Sequence, residues 1–142
     1  MLTPQRATPA DYPELIAIWA RSVAATHQFL QPADREAIQR ALPQYFAQVT
    51  LVKWQLGTTT VGFSGTAATD LVMLFLDPAY FRRGYGQTIV QTLIAEDNLQ
   101  TVTVNAQNPG ALAFYRRQGF HLVSRFETDT DGRPYPILNL KR

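Results

Sequence analysis

Apolar positions along the chain fall into two rhythms, one helical and one extended. Leu15, Ile18, Trp19 and Val23 recur at three- and four-residue steps, the spacing of one helical face. Thr8 offers a capping hydroxyl, Pro9 suits the first helical position, and Asp11 and Glu14 are acids in the first turn, so a helix starts there. After the irregular stretch from Ala24 to Leu30, Pro32 opens a second helix carrying Ile38 and Leu42, which Pro43 is expected to bend or end. Residues 50–56 and 59–67 form strands around Gly57-Thr58, where Leu51, Val52, Trp54 and Leu56 meet Val61 and Phe63 across a short turn.

The unbroken apolar run from Leu71 to Leu76, bounded by Asp70 and Asp77-Pro78, reads as a strand covered on both faces. A helix from about Gly84 to Ala95 follows, with Ile89, Val90, Leu93 and Ile94 as its apolar stripe, and Thr101–Asn105 alternates as another strand. Strand, helix and strand predict two parallel strands joined by a right-handed crossover. Asn108-Pro109 begins the last helix, which ends at Gly119 after the cations Arg116 and Arg117. Strands over 120–126 and 134–140 flank Asp131-Gly132, a hairpin turn dipeptide. The expected architecture is one α+β domain over residues 1–142, a mixed central sheet flanked by helices.

Composition then narrows the chemistry. With no cysteine among 142 residues, disulfides, thiolate metal sites and a cysteine nucleophile are excluded. His27 and His121 stand far apart, so no metal site is expected. A net charge of +2, with basic residues scattered apart from Arg82-Arg83 and Arg116-Arg117, argues against a nucleic-acid face. The opening residues lack an apolar segment of signal-peptide length and no run approaches a membrane span, so a soluble cytoplasmic protein is expected.

Arg82-Arg83-Gly84-Tyr85-Gly86-Gln87-Thr88 joins the apolar strand to its helix. Two glycines at a helix start expose backbone N–H groups in a positive dipole, a place for phosphate oxygens. Gln87-Thr88 stand where a P-loop needs lysine and a hydroxyl, and the third glycine and later acid of a dinucleotide fold are missing.

The run from Leu74 to Gln87 resembles motif A of the GNAT acyltransferases. Asn108-Pro109-Gly110-Ala111-Leu112-Ala113-Phe114-Tyr115-Arg116-Arg117-Gln118-Gly119-Phe120 resembles their motif B, and the two stand in the family's order and spacing. The likeness extends to Ile18–Val23, Thr26–Leu30 and Gly132–Leu140, and so to the small bacterial YjaB-like acetyltransferases. One departure is Phe81, three positions before the first loop glycine, where the family often has Gln or Arg.

The resemblance implies a GNAT-type fold that binds acetyl-CoA, with pyrophosphate on the amides from Arg82 to Thr88 and pantetheine along the strand end Leu74, Phe75 and Leu76. Asn105, Asn108, Ala111 and Phe114 are implied along the same cofactor arm, although Asn108 also suits a helix cap. Tyr115 is implied as the general acid that protonates the leaving thiolate, a thiol of pKa about 8.5 against roughly 10 for a phenol. Trp19, Ser22, His27 and Phe29 fall where the family builds its acceptor pocket, with core packing an alternative for Trp19.

A lysine-like acceptor of pKa about 10.4 must give up a proton, roughly 4.6 kcal/mol uphill at pH 7. Asp70, Asp77 and Glu127 are candidate bases by charge and His27 by its intrinsic pKa. The expected reaction moves an acetyl group from acetyl-CoA to a primary amine by direct attack in a ternary complex. A small molecule or a peptide could carry that amine, and the protein could be a monomer or a homodimer. The alternatives are a non-catalytic acyl-CoA-binding or sensing module and a remodelled scaffold without cofactor affinity.

Overall fold

The computed structural model describes all 142 residues. In chain order the elements are β1 (Leu2–Arg6), α1 (Tyr12–Thr26), α2 (Pro32–Ala47), β2 (Thr50–Leu56), β3 (Thr59–Ala67) and β4 (Asp70–Leu76). They continue with α3 (Tyr85–Asp97), β5 (Thr101–Asn105), α4 (Pro109–Arg117), β6 (His121–Phe126) and β7 (Ile137–Lys141). One sheet runs β1-β2-β3-β4-β5-β7-β6, antiparallel throughout except for the parallel pair β4 and β5. One hydrophobic cluster joins α3 and α4 to one face of the sheet, through Ile89, Val90, Leu93, Tyr115 and Phe120. A second joins α1 and α2 to the other face, through Leu15, Ile18, Trp19, Val23, Leu42 and Phe46.

Four elements differ from the expectation. β1 carries no apolar rhythm because it is an edge strand with four of its five residues exposed, and an edge tolerates Pro4. Pro43 does not end α2, which continues to Ala47 because Leu42 and Phe46 on either side of it are buried. β6 and β7 pair as the antiparallel hairpin expected, but Asp131-Gly132 is not a tight turn joining them directly. It sits inside the loop 127–136, where the Gly132 N–H donates to the Asp129 carbonyl at 3.0 Å and Gly132 takes a φ of +79°.

The fourth difference shapes the site. β4 is not covered on both faces, since only Leu71 among its apolar residues is fully buried and the other five are half-buried. β5 pairs with it only at Asp70↔Thr101 and Leu71↔Val102, then stays with β7 for its whole length. Beyond Leu71 the two parallel strands part and leave a wedge, with one edge of β4 unpaired.

On its other edge β4 is held tightly by β3. A bulge pairs Gly65 with Met73 and Thr66 with Leu71, leaving Val72 as the extra residue. The bulge resets the alternation, so that Leu71, Leu74 and Leu76 join the α3/α4 cluster while Met73 and Phe75 join the α1/α2 cluster. At Gly62 a Cβ would come within 2.5 Å of the Phe75 carbonyl oxygen, so this close approach requires glycine.

Candidate active site

The end of β4 leads into the start of α3 through a loop with two left-handed residues, Arg82 at φ +62° and Gly84 at φ +82°. This path turns the amides of Arg82 to Gln87 away from every carbonyl, and none of them donates to an acceptor in the protein. The Thr88 amide and hydroxyl both close onto the Gly84 carbonyl at 3.1 Å and fix the first turn. Arg82 and Arg83 are exposed beside these amides, with Arg83 over the Tyr80 ring at 5.6 Å. Free amides, a helix dipole and two cations suit a pyrophosphate.

Phe114 brings the two sequence motifs together, since a Cβ on Gly86 would touch its ring at 3.4 Å. Asn108 caps α4, its Oδ1 accepting from the Ala111 N–H at 3.2 Å, so the capping role holds and its side-chain NH2 is left without a protein partner. Ala111 is half-buried against the α3/α4 cluster, and Asn105 ends β5 opposite Ile137.

Tyr115 is buried between Phe114, at 5.0 Å between ring centroids, and Phe120, at 6.0 Å. No protein group hydrogen-bonds its hydroxyl, and that oxygen is not sealed from solvent. Burial pushes the phenol well above its ordinary pKa, so it carries its proton throughout the neutral range.

On the α1/α2 side of the sheet lies a cavity of about 870 Å³. β4 contributes Val72, Met73 and Phe75 to it and β5 contributes Thr103 and Asn105, so it reaches the wedge. Trp19 and His27 line it as expected of acceptor-pocket residues. Ser22 is buried within α1 and does not reach it, and Phe29 packs between the rings of His27, at 5.2 Å, and Tyr135, at 6.1 Å.

The far wall is the loop 127–136, which the sequence marked as a turn but not as part of a site. Arg133 bonds Asp131 at 3.0 Å and lies 3.6 Å from Asp34 of α2. The Tyr135 hydroxyl donates to Asp34 and accepts from the Gln31 N–H at 3.0 Å, and Tyr45 of α2 donates to Asp131 at 2.6 Å. The Tyr45 hydroxyl and then the Arg133 guanidinium hold the Asp131 carboxyl below the usual range. Asp129 and Asp131 just before Arg133 were the available signal for this clasp, but its partners on α2 lie about a hundred positions away.

His27 meets Phe75 at 6.1 Å as well as Phe29, and burial lowers its pKa from 6.5 to about 4. It is therefore neutral at pH 7, with Thr26 Oγ1 2.7 Å from Nδ1. Between pH 6.5 and 4 the unfolded chain binds a proton that the folded one refuses, so stability falls as pH falls through that window. The expected loss is on the order of 3 kcal/mol from this group, and His27→Gln should flatten the change in urea midpoint between pH 7 and pH 4.5.

The candidate bases are separated by their partners. Asp77 is paired with Arg21 at 2.6 Å and caps the turn through the Ala79 N–H, and Glu127 is exposed beside Arg125. Asp70 lines the cavity.

No helix is long and apolar enough to cross a membrane, and no group of His, Asp and Glu is arranged to hold a metal ion. Residues 15–135 match the family described as acetyltransferase (GNAT) domain. The chain is 35% identical to the peptidyl-lysine N-acetyltransferase YjaB of Salmonella typhimurium, over 99% of this chain and 97% of that protein. The solution structure of apo-form YjaB from Escherichia coli superposes with a TM-score of 0.89 at 34% identity, covering 99% of this chain and 97% of that one. PaiA N-acetyltransferase from Thermoplasma acidophilum, solved in complex with coenzyme A, shares the fold, with a TM-score of 0.70 at 18% identity over 100% and 99% of the two chains. A free-amide loop at the end of a splayed strand, a buried protonated tyrosine and a cavity at the same wedge agree with these matches: the chain belongs to the GNAT family of acetyl-CoA-dependent N-acetyltransferases.

Proposed function

We propose that this enzyme acetylates the side-chain amine of lysine in a peptide or protein by direct attack on acetyl-CoA. The observation that carries this reading is the wedge between β4 and β5, because the amide loop lies at its β4 end and the cavity opens on the same strands. Two molecules entering from opposite sides can meet there. The names of the YjaB relatives, peptidyl-lysine N-acetyltransferases, support the choice of acceptor.

In this reading the amides from Arg82 to Gln87 hold the pyrophosphate, that of Thr88 being taken by the Gly84 carbonyl, and the unpaired edge at Leu74, Phe75 and Leu76 bonds the pantetheine amides. Asn105, Asn108, Ala111 and Phe114 flank that arm. Trp19 and His27 form one wall of the acceptor cavity, with Ser22 and Phe29 supporting it. An apolar cavity with aromatic walls suits the four methylenes of a lysine stem. Tyr115 supplies the proton to the departing sulfur. Residues 1–142 act as one domain, since both hydrophobic clusters share the one sheet, and the cytoplasm is the compartment of action.

Incubation of the purified protein with acetyl-CoA and a panel of lysine peptides, read by thiol release and peptide mass, tests the reading. Acetylation on a lysine side-chain nitrogen is the expected result. Tight binding of acetyl-CoA with no turnover on any amine would replace this reading with a sensing module.

A further inference from the structure

We infer that Asp34, which stands outside the acceptor cavity, is the positioning residue that sets its depth, by fastening the loop 127–136 to α2 through Tyr135 and Arg133. This rests on the lysine-acetylation reading above and names what fixes the reach of the acceptor in that site.

The loop owes its shape to its own bonds. The Asp129 Oδ1 accepts from the N–H groups of Asp131 and Arg133 at 3.0 and 2.8 Å, and the Asp129 carbonyl accepts from Gly132. A turn organised by one aspartate in this way keeps its form without help from the rest of the fold. Its position is a separate matter. On the sheet side the Pro136 carbonyl accepts from the Ala106 N–H at 2.9 Å, and on the helix side the loop is held by α2 and its cap.

Asp34 carries most of that second attachment. One of its oxygens accepts from the buried Tyr135 hydroxyl and the other lies 3.6 Å from Arg133 Nε, so both partners of its side chain belong to the loop. The other crossing side-chain bond, Tyr45 to Asp131, sits at the rim where Asp131 is exposed and water competes for it. An apolar contact would let the loop slide over the helix. A carboxylate bonded by both oxygens to a hydroxyl and a guanidinium holds it at one place.

The cavity lies between the parts so joined. Ile38 and Leu42 line it from α2 and Arg133 and Tyr135 from the loop, while Asp34 itself does not reach it. The amine must arrive at the wedge between β4 and β5, and the loop is the wall across from it. The backbone that carries the amine rests against that wall, so the place where the loop is fastened fixes the length of side chain that fits.

The test compares wild type, Asp34→Asn and Asp34→Ala, each checked by thermal melting, on one peptide carrying either lysine or ornithine, which is one methylene shorter. Wild type should favour lysine about tenfold in kcat/KM, within the range that one methylene supplies. Asp34→Ala should raise KM for the lysine peptide about tenfold, change kcat by less than about twofold and cut the preference to about twofold. Asp34→Asn, whose amide still accepts from the Tyr135 hydroxyl but does not pair with Arg133, should fall between the two. A wild type indifferent to the methylene, a preference kept in Asp34→Ala, or weakened acetyl-CoA binding in that variant would overturn the inference. A second arm needs no turnover: in Asp34→Ala, amide hydrogen exchange should quicken about tenfold or more across residues 127–136 while residues 38–47 keep their protection. Unchanged exchange in the loop, or loosening confined to α2, would overturn the inference as well. Failure of wild type to turn over either peptide, with the loop released as expected, would count against the transfer reading and not against the Asp34 latch.

Discussion

Replacing Tyr115 by phenylalanine is expected to lower kcat by about 100-fold or more while leaving acetyl-CoA affinity unchanged. The ring fills the same space between Phe114 and Phe120, and the hydroxyl has no protein partner to orphan, so the fold should not register the change. What is lost is a proton. The phenol holds it at any working pH, because burial raises its pKa, and a thiolate leaving group of pKa about 8.5 gains most from a nearby donor when the solution is neutral or alkaline. Steady-state kinetics with calorimetric titration of acetyl-CoA separates the two effects. Full turnover by Tyr115→Phe would move the donor role to water.

The second large effect is expected at the amide loop, where Gly84→Glu should weaken acetyl-CoA binding by at least about 100-fold, close to 2.7 kcal/mol. A Cβ there meets no atom within 4 Å, so the substituent starts in open space. It does place a carboxylate where six free amides and the α3 dipole favour an anion, and it repels the phosphates they would bind. Gly84→Ala is the control for backbone strain, because φ is +82° and any Cβ is disfavoured. The alanine variant should lose stability yet bind far better than the glutamate variant. Equal affinities for the two would mean that backbone conformation, and not charge, governs the loop.

Features legible in the sequence were those whose physics is local. The Thr8-Pro9 start, the Gly119 stop, the helical stripe of Ile89, Val90 and Leu93, and the glycines before α3 each depend on residues within a turn or two of one another. The amide loop was readable for the same reason, since strand, loop and helix start are contiguous from Leu71 to Thr88. Pro43 does not stop α2, because burial of Leu42 and Phe46 outweighs one missing backbone bond. β1 was silent because an edge strand with one half-buried residue carries no pattern to read.

The order of the elements from α1 onward, the family likeness, the glycine-broken loop before α3 and the place of Tyr115 as the candidate acid were thus legible in the sequence itself, through short spacings that any fold must respect. Tertiary structure alone decided where β4 leaves β5, because that depends on β5 staying with β7 while β4 stays with β3. It also decided which partner each aspartate meets. Asp77 meets Arg21 from α1, Asp131 meets Arg133 and Tyr45, and Asp70 meets only hydroxyls 31 and 33 residues away. In the sequence these carboxylates are chemically alike, and only their neighbours across the fold determine which of them lacks a cation.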